Sequence, residues 1–395
     1  MTSPDPTNPL AIAQGLIRCP SVTPHEAGAL DYLQSLLAPA GFSCQRLPFS
    51  EAGTPDVDNL FARRGAAGPH LCFAGHTDVV PPGDESAWTF PPFGGVVDGG
   101  WLYGRGAVDM KGGVACFVAA VMRCLEKSGG ALPGSISFLI TGDEEGPAVN
   151  GTRKVLDWMD LAGHRPDHCL VGEPSCPEEL GDSIKIGRRG SLSGRLTVIG
   201  KAGHVAYPEL ARNPIPGMLA VLDAFLADPL DSGNDDFAAS NLEVTSIETG
   251  NRAENVIPAS IMALFNIRFN TEQTAEGLKD RLRGQAQDTL EGTGIDHELS
   301  FEPASDCFLT ERGPLIDIMV ESIRAVTGKR AELSTAGGTS DARFIKDYCP
   351  VIEFGHVNAT IHQTDERVRV EDLERLTAIY EDFINRYFAA FANQR

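Results

Sequence analysis

The sequence predicts an α/β protein: a mixed sheet flanked by helices over residues 1–187 and 302–395, interrupted at 188–301 by a ferredoxin-like βαββαβ insert. Three observations predict it. Short apolar runs alternate with helical periodicity on both sides of the insert, several of those runs end abruptly in His, Asp or Glu, and the 395 residues suit about two or three domains. Ligands of open α/β sheets gather at the carboxyl ends of strands, so the residues just after each run are the ones to follow.

After a Pro-rich start, Leu10 to Arg18 and Glu26 to Leu37 carry helical spacing, with Thr23 or Pro24 as the start signal of the second. Asn59-Leu-Phe-Ala-Arg and His70 to Gly75 read as strands, the latter running into Gly75-His76-Thr-Asp78. Pro81 to Gly106 reads as a Pro-, Gly- and aromatic-rich loop, longer than a scaffold connection needs. It leads through Asp109, in a Gly-flanked turn, to an apolar buried helix over Val114 to Leu125. Ser135 to Thr141 is a strand delivering Asp143-Glu144-Glu145, Cys169-Leu-Val delivers Glu173, and Pro350 to Phe354 precedes His356, Asn358 and His362.

In the insert, Gly194 to Gly200 is a strand, Pro214 to Ala227 a helix, Leu242 to Ile247 and Ile261 to Phe269 strands, Thr274 to Leu290 a helix and His297 to Phe301 a strand. From Pro314 onward the α/β pattern of the first part resumes.

Composition narrows function. A net charge of −21 excludes nucleic acid and anionic membrane as natural partners, because phosphate binding needs clustered Lys and Arg. Nine Cys with wide spacing and no C-x-x-C pair argue against a thiolate metal site or a disulfide framework. No apolar run reaches membrane-span length, and the N-terminus lacks a basic, then apolar, leader pattern; the expectation is a cytoplasmic protein. Gly104-Arg-Gly106 lacks the third Gly of a dinucleotide site.

Singly, His76, Asp109, the Glu144/Glu145 pair, Glu173 and His362 have ordinary explanations as a strand-end His, a capping Asp or solvated acids. Jointly they do not. Two imidazoles and several carboxylates without thiolate suit zinc, or cobalt or manganese in its place. If His76 and Glu173 held one ion, one Glu of the pair and His362 a second, and Asp109 bridged, two dications would nearly balance three carboxylates and a shared hydroxide. The other Glu of the pair would then serve as general base. Asp78, two residues after His76, would orient its imidazole.

Together Gly75-His76-Thr-Asp78-Val-Val-Pro, Gly104-Arg-Gly-Ala-Val-Asp109-Met-Lys-Gly-Gly, Asp143-Glu144-Glu145 and Gly172-Glu173-Pro resemble the M20 family of dinuclear zinc amidohydrolases and peptidases, over essentially the whole chain. The resemblance implies two Zn2+ per subunit on His76, Asp109, Glu145, Glu173 and His362, Glu144 as the base, and a cis peptide after Asp109. It also implies that the insert is a lid that forms a homodimer, and that His204 reaches the partner's site to stabilise an oxyanion. Within the family, the segments around Arg188, His204, Thr339 and Asn358 look most like a branch acting on small N-acyl amino acids with carboxylates at both ends. Such a substrate needs local positive charge, for which Arg188, Arg268 and Arg343 are the candidates, with Tyr207, Asn255, Thr339 and Asn358 as neutral donors.

Overall fold

The computed structural model describes residues 5–391. They divide into two compact units: one takes the chain through Ile186, then Thr310–Ser334 and the residues from Ser340 onward, and the other takes Gly187–Leu309 with Thr335–Thr339.

The first unit is built on an eight-stranded mixed sheet in the order Ser43–Phe49, Val57–Arg64, Ser135–Thr141, His70–His76, His168–Val171, Val351–Glu353, Ser183–Lys185, Glu332–Ser334. Its four central strands run parallel, with His76 in register with Thr141, Ala74 with Val171, and Val171 with Glu353. Their carboxyl ends therefore finish side by side. Ser135–Thr141 and His70–His76 are buried at every position, as parallel strands covered on both faces are.

Helix Lys111–Lys127 packs against the C-terminal helix Val370–Phe391 and against the strand His70–His76. Phe117 stacks on Phe73 with 4.2 Å between ring centroids, and the Tyr380 hydroxyl donates to the Phe354 carbonyl at 2.6 Å. Gly113 allows the close approach: a Cβ there would lie 2.5 Å from the Gly172 carbonyl oxygen, so the helix start is pressed onto the loop carrying Glu173.

The segment Pro81 to Gly106, expected to be irregular, contains the short hairpin Val96–Asp98 and Trp101–Tyr103. The strand Arg367–Arg369 joins it as a third member. Strands of three residues are too short to leave a period in the sequence.

The second unit folds as a four-stranded antiparallel sheet with the spatial order Asn241–Glu248, Ser260–Phe269, Gly190–Ile199, Asp296–Phe301, and helices Pro214–Ala227 and Ala275–Leu290 pack against it. Numbered within the unit this is 2-3-1-4, the ferredoxin-like arrangement. Alternate residues of Gly190–Ile199 point inward, and Leu192, Leu196 and Val198 meet Met218, Val221, Phe225, Leu278 and Leu282 in one core. Asn213 and Thr274 cap the two helices, accepting from the N–H groups of Ile215 and Gly277. A further two-residue pairing, Gly203–His204 with Val256–Ile257, lies outside this sheet.

Candidate metal centre

His76 ends a buried strand, and its Nδ1 lies 2.9 Å from the main-chain carbonyl of Asp78. That contact fixes the ring with Nε2 facing Asp109 Oδ1 at 3.1 Å and Glu173 Oε1 at 3.6 Å. The second oxygen of Asp109 lies 3.4 Å from His362 Nε2, which in turn lies 2.8 Å from Glu145 Oε1. Asp109 thus offers one oxygen to each imidazole, the disposition expected of a carboxylate shared between two centres. The Asp109–Met110 peptide is cis.

Asp78 meets His76 and the acidic pair together. Its carboxylate is 3.6 Å from His76 Nδ1, farther than its own carbonyl, and also accepts the N–H groups of Glu144 at 3.3 Å and Glu145 at 3.0 Å. The carboxylate thus spans to the neighbouring strand end and holds the acidic pair in place. The three consecutive acids separate in the same way: Asp143 turns inward to accept the N–H groups of Val149 and Asn150, each at 2.8 Å, leaving Glu144 and Glu145 at the centre.

Two overlapping triads, His76 with Asp109 and Glu145, and His76 with Glu144 and Glu173, each bring their ligand atoms within 4.8 Å of one another. Burial, reinforced by Glu173, pushes the Glu144 carboxyl well above the usual carboxylate range. Burial and then the charge of Asp109 raise Glu173 to about 7, and burial raises Asp78 to about 6. Hydrogen bonds to Asp109 and Glu145 hold His362 up at about 10. Burial opposes protonation of His76, but Asp109 and Glu173 outweigh it and keep its pKa well above the ordinary imidazole range. Concentrated carboxylates here demand positive charge, and a set of imidazole nitrogens and carboxylate oxygens without thiolate fits a borderline divalent cation.

His356, six residues from His362, faces elsewhere. It is fully buried against Gly112 and Cys116, and burial lowers its pKa to about 4.

Several residues that the sequence did not single out support the centre. The buried Lys111 donates to the Cys19 carbonyl at 2.8 Å, with Glu366 and Asp78 near enough to favour its charge. The buried carboxylate of Glu366 accepts the N–H groups of Gly106, Val108 and Asp109 and pairs with Arg105 at 2.8 Å. No spacing rule announces this, since it depends on two loops meeting in space.

Of the candidate substrate residues, Arg343 and Asn358 belong to the first unit. Arg343 lies over the Phe344 ring at 4.6 Å and offsets part of the upward shift that burial imposes on Asp341. Asn358 is half-buried, with its N–H on the Cys176 carbonyl at 2.9 Å. In the second unit the Arg188 guanidinium donates to the Gly338 carbonyl at 3.0 Å, next to Thr339. His204 and Tyr207 are exposed with ring centroids 5.9 Å apart, and the Asn255 carbonyl accepts the Val205 N–H at 3.1 Å. Arg268 is half-buried on the strand Ser260–Phe269, opposite Ser191 and Asn241.

The model of peptidase family M20/M25/M40 matches residues 72–386, a stretch holding every candidate ligand. The chain belongs to the M20 family. Relatives in curated collections include the succinyl-diaminopimelate desuccinylase of Methylorubrum populi, 59% identical over 97% of this chain and 99% of its own length. The protein of that name from Rhodospirillum centenum is 58% identical over 97% of this chain and 98% of its own. Among solved structures, a tripeptidase from Staphylococcus aureus superposes with a TM-score of 0.80 at 21% identity, covering 98% of this chain and 100% of that one. A dinuclear metal-binding M20 peptidase from Bacillus subtilis gives 0.72 at 17% identity, with 98% of each chain covered. This M20 chain therefore shares the fold of those enzymes over 98% of its length.

Proposed function

We propose that this chain hydrolyses the amide of N-succinyl-LL-2,6-diaminopimelate to succinate and LL-2,6-diaminopimelate, a step of diaminopimelate and lysine biosynthesis. The observation that carries the reading is the 59% identity, along 97% of the chain, to a relative named for that reaction.

In this reading His76 and Glu173 would hold one Zn2+, Glu145 and His362 a second, and Asp109 would serve both; Co2+ or Mn2+ would be substitutes. When bound, such ions supply Lewis acidity toward the amide carbonyl and toward a water molecule. Glu144, grouped with His76 and Glu173, takes a proton from the attacking water and passes it to the leaving amine. Asp78 keeps the backbone of Glu144 and Glu145 in place. Arg188, Arg268 and Arg343 meet the substrate's carboxylates, and Tyr207, Asn255, Thr339 and Asn358 donate as neutral groups.

The second unit is read as a lid that pairs two copies of the chain, His204 serving the partner's site. Supporting this, Asn241–Glu248 is an edge strand with Ile247 49% exposed, while Leu219 and Leu226, seven residues apart on helix Pro214–Ala227, are 57% and 55% exposed. Among the described residues no helix is long and apolar enough to cross a membrane, and we place the enzyme in the cytoplasm.

The deciding experiment compares kcat/KM for the succinyl substrate with that for N-acetylornithine and a panel of N-acyl amino acids and dipeptides. The succinyl compound should be preferred by orders of magnitude, because an acetyl group leaves a cationic subsite unpaired. Equal efficiency would hand the assignment to an acetylornithine deacetylase or a broad aminoacylase or dipeptidase.

A further inference from the structure

We infer that Arg105 and Glu366 are positioning residues that set the relation between Asp109 and His362, an inference that rests on the metal reading above. His362 needs such a device. Its side chain is 45% exposed and its backbone is in the left-handed region at φ +59°, so the position of the ring depends on how the loop's main chain is held.

The fastening is a pair of buried side chains. Glu366 Oε1 accepts the N–H groups of Val108 at 2.8 Å and Asp109 at 3.1 Å, while Oε2 accepts that of Gly106 at 3.0 Å and the Arg105 guanidinium at 2.8 Å. Four donors occupy one fully buried carboxylate, which is what a charge removed from water requires. From the same guanidinium, Nη1 reaches the Gln363 carbonyl at 3.2 Å and Nη2 that of His362 at 3.4 Å, and its Cζ lies 5.2 Å from the Trp88 ring centroid. A path of two side chains therefore connects the N–H of Asp109 to the carbonyl of His362. The loop is closed again at Thr89, whose N–H and hydroxyl both donate to Asp365 at 2.7 Å, and at its base by Thr360 and Arg367.

The two residues act on different ligands. Glu366 grips the backbone of Asp109, which would face both ions, whereas Arg105 grips the carbonyl of His362, which would face one. Glu366→Gln sets an amide NH2 against donors that need an acceptor. Arg105→Lys keeps the charge but cannot fork between Glu366 and the two carbonyls.

The test is calorimetric titration of Zn2+ into metal-free protein, with His362→Ala identifying the event that depends on His362. The wild type should bind two ions per chain. Glu366→Gln should weaken both events roughly 10–100-fold, the usual scale for a partner of a metal ligand, and Arg105→Lys chiefly the His362-dependent one. Asp365→Asn, which loosens only the Thr89 clip, should weaken that same event by less and keeps the test alive should Glu366→Gln not fold. Variants that lose thermal stability yet bind both ions with wild-type affinity would overturn the positioning role. A wild type that binds fewer than two ions would instead overturn the metal reading, and this inference with it.

Discussion

His362 Nε2 lies 2.8 Å from Glu145 Oε1, although 217 residues separate the two in the chain. One comes from the turn after a central strand, the other from a loop near the C-terminus, and Asp109 lies beside both. This convergence makes the chemistry testable residue by residue.

Glu144→Gln should leave two ions bound and reduce kcat by about 10²–10⁴-fold, the scale of general base catalysis. Metal analysis alongside steady-state kinetics checks it. A metal-loaded variant with wild-type kcat would remove Glu144 from the mechanism.

In the metal-free protein the acidic cluster's contribution to stability should shrink as pH rises. Glu173 and Asp78 have folded pKa values raised to about 7 and about 6, so their protonated forms favour the fold, and that contribution fades as pH climbs from the ordinary carboxylate range through those values. His362, raised to about 10, adds a contribution complete below about 6.5, the ordinary imidazole value, and lost by about pH 10, although its exposure keeps it modest. Melting temperatures of chelator-treated protein should fall above about pH 6.5; below it the buried, neutral His70 and His356, both lowered to about 4, work the other way. Bound Zn2+ should flatten the decline, since the ion replaces the protons. A metal-free protein more stable at about pH 9 than at about pH 6.5 would contradict this account of the cluster.

Gly113→Ala should destabilise the fold by about 1–3 kcal/mol, as overpacking typically does. The added Cβ would meet the Gly172 carbonyl oxygen at 2.5 Å and push helix Lys111–Lys127 off the loop holding Glu173. Denaturant unfolding measures the loss, and zinc affinity should fall with it. Unchanged unfolding would show that the helix start yields easily.

If His204 serves the partner's site, mixing Glu144→Gln with His204→Ala protein should restore activity that neither has alone. Subunit exchange must be demonstrated by tagged copies. Heterodimers without any recovery would place His204 in its own subunit's site or outside the reaction.

The periodicity of the sequence predicts Ser135–Thr141 and Pro214–Ala227 with the bounds observed, because a fully buried strand and a capped, Pro-initiated helix carry strong local signals. Ser43–Phe49 is not legible, being an edge strand with mixed burial and a Pro at position 48. His76, Glu144, Glu145 and Glu173 could be picked out because each follows directly on an apolar strand. Glu366 could not, since an acid four residues after a His in a polar loop looks solvated, and only the closure of that loop over residues 105–109 buries it. Asp78 shows the intermediate case: its proximity to His76 is readable, but the contact of its carboxylate with the N–H groups of Glu144 and Glu145, on a neighbouring strand end, is not.

The position of Val351–Glu353 in the sheet has a consequence for biosynthesis. This strand lies between His168–Val171 and Ser183–Lys185, so a slot in the middle of the sheet is filled by one of its last pieces to leave the ribosome. The second unit, drawn from one nearly continuous stretch, has its core residues available earlier. A nascent chain thus carries an acidic cluster without its second imidazole until His362 has emerged and the loop is fastened. If His362 is a ligand, a chain cut short before it would keep the His76 end of the cluster and lack the His362 end.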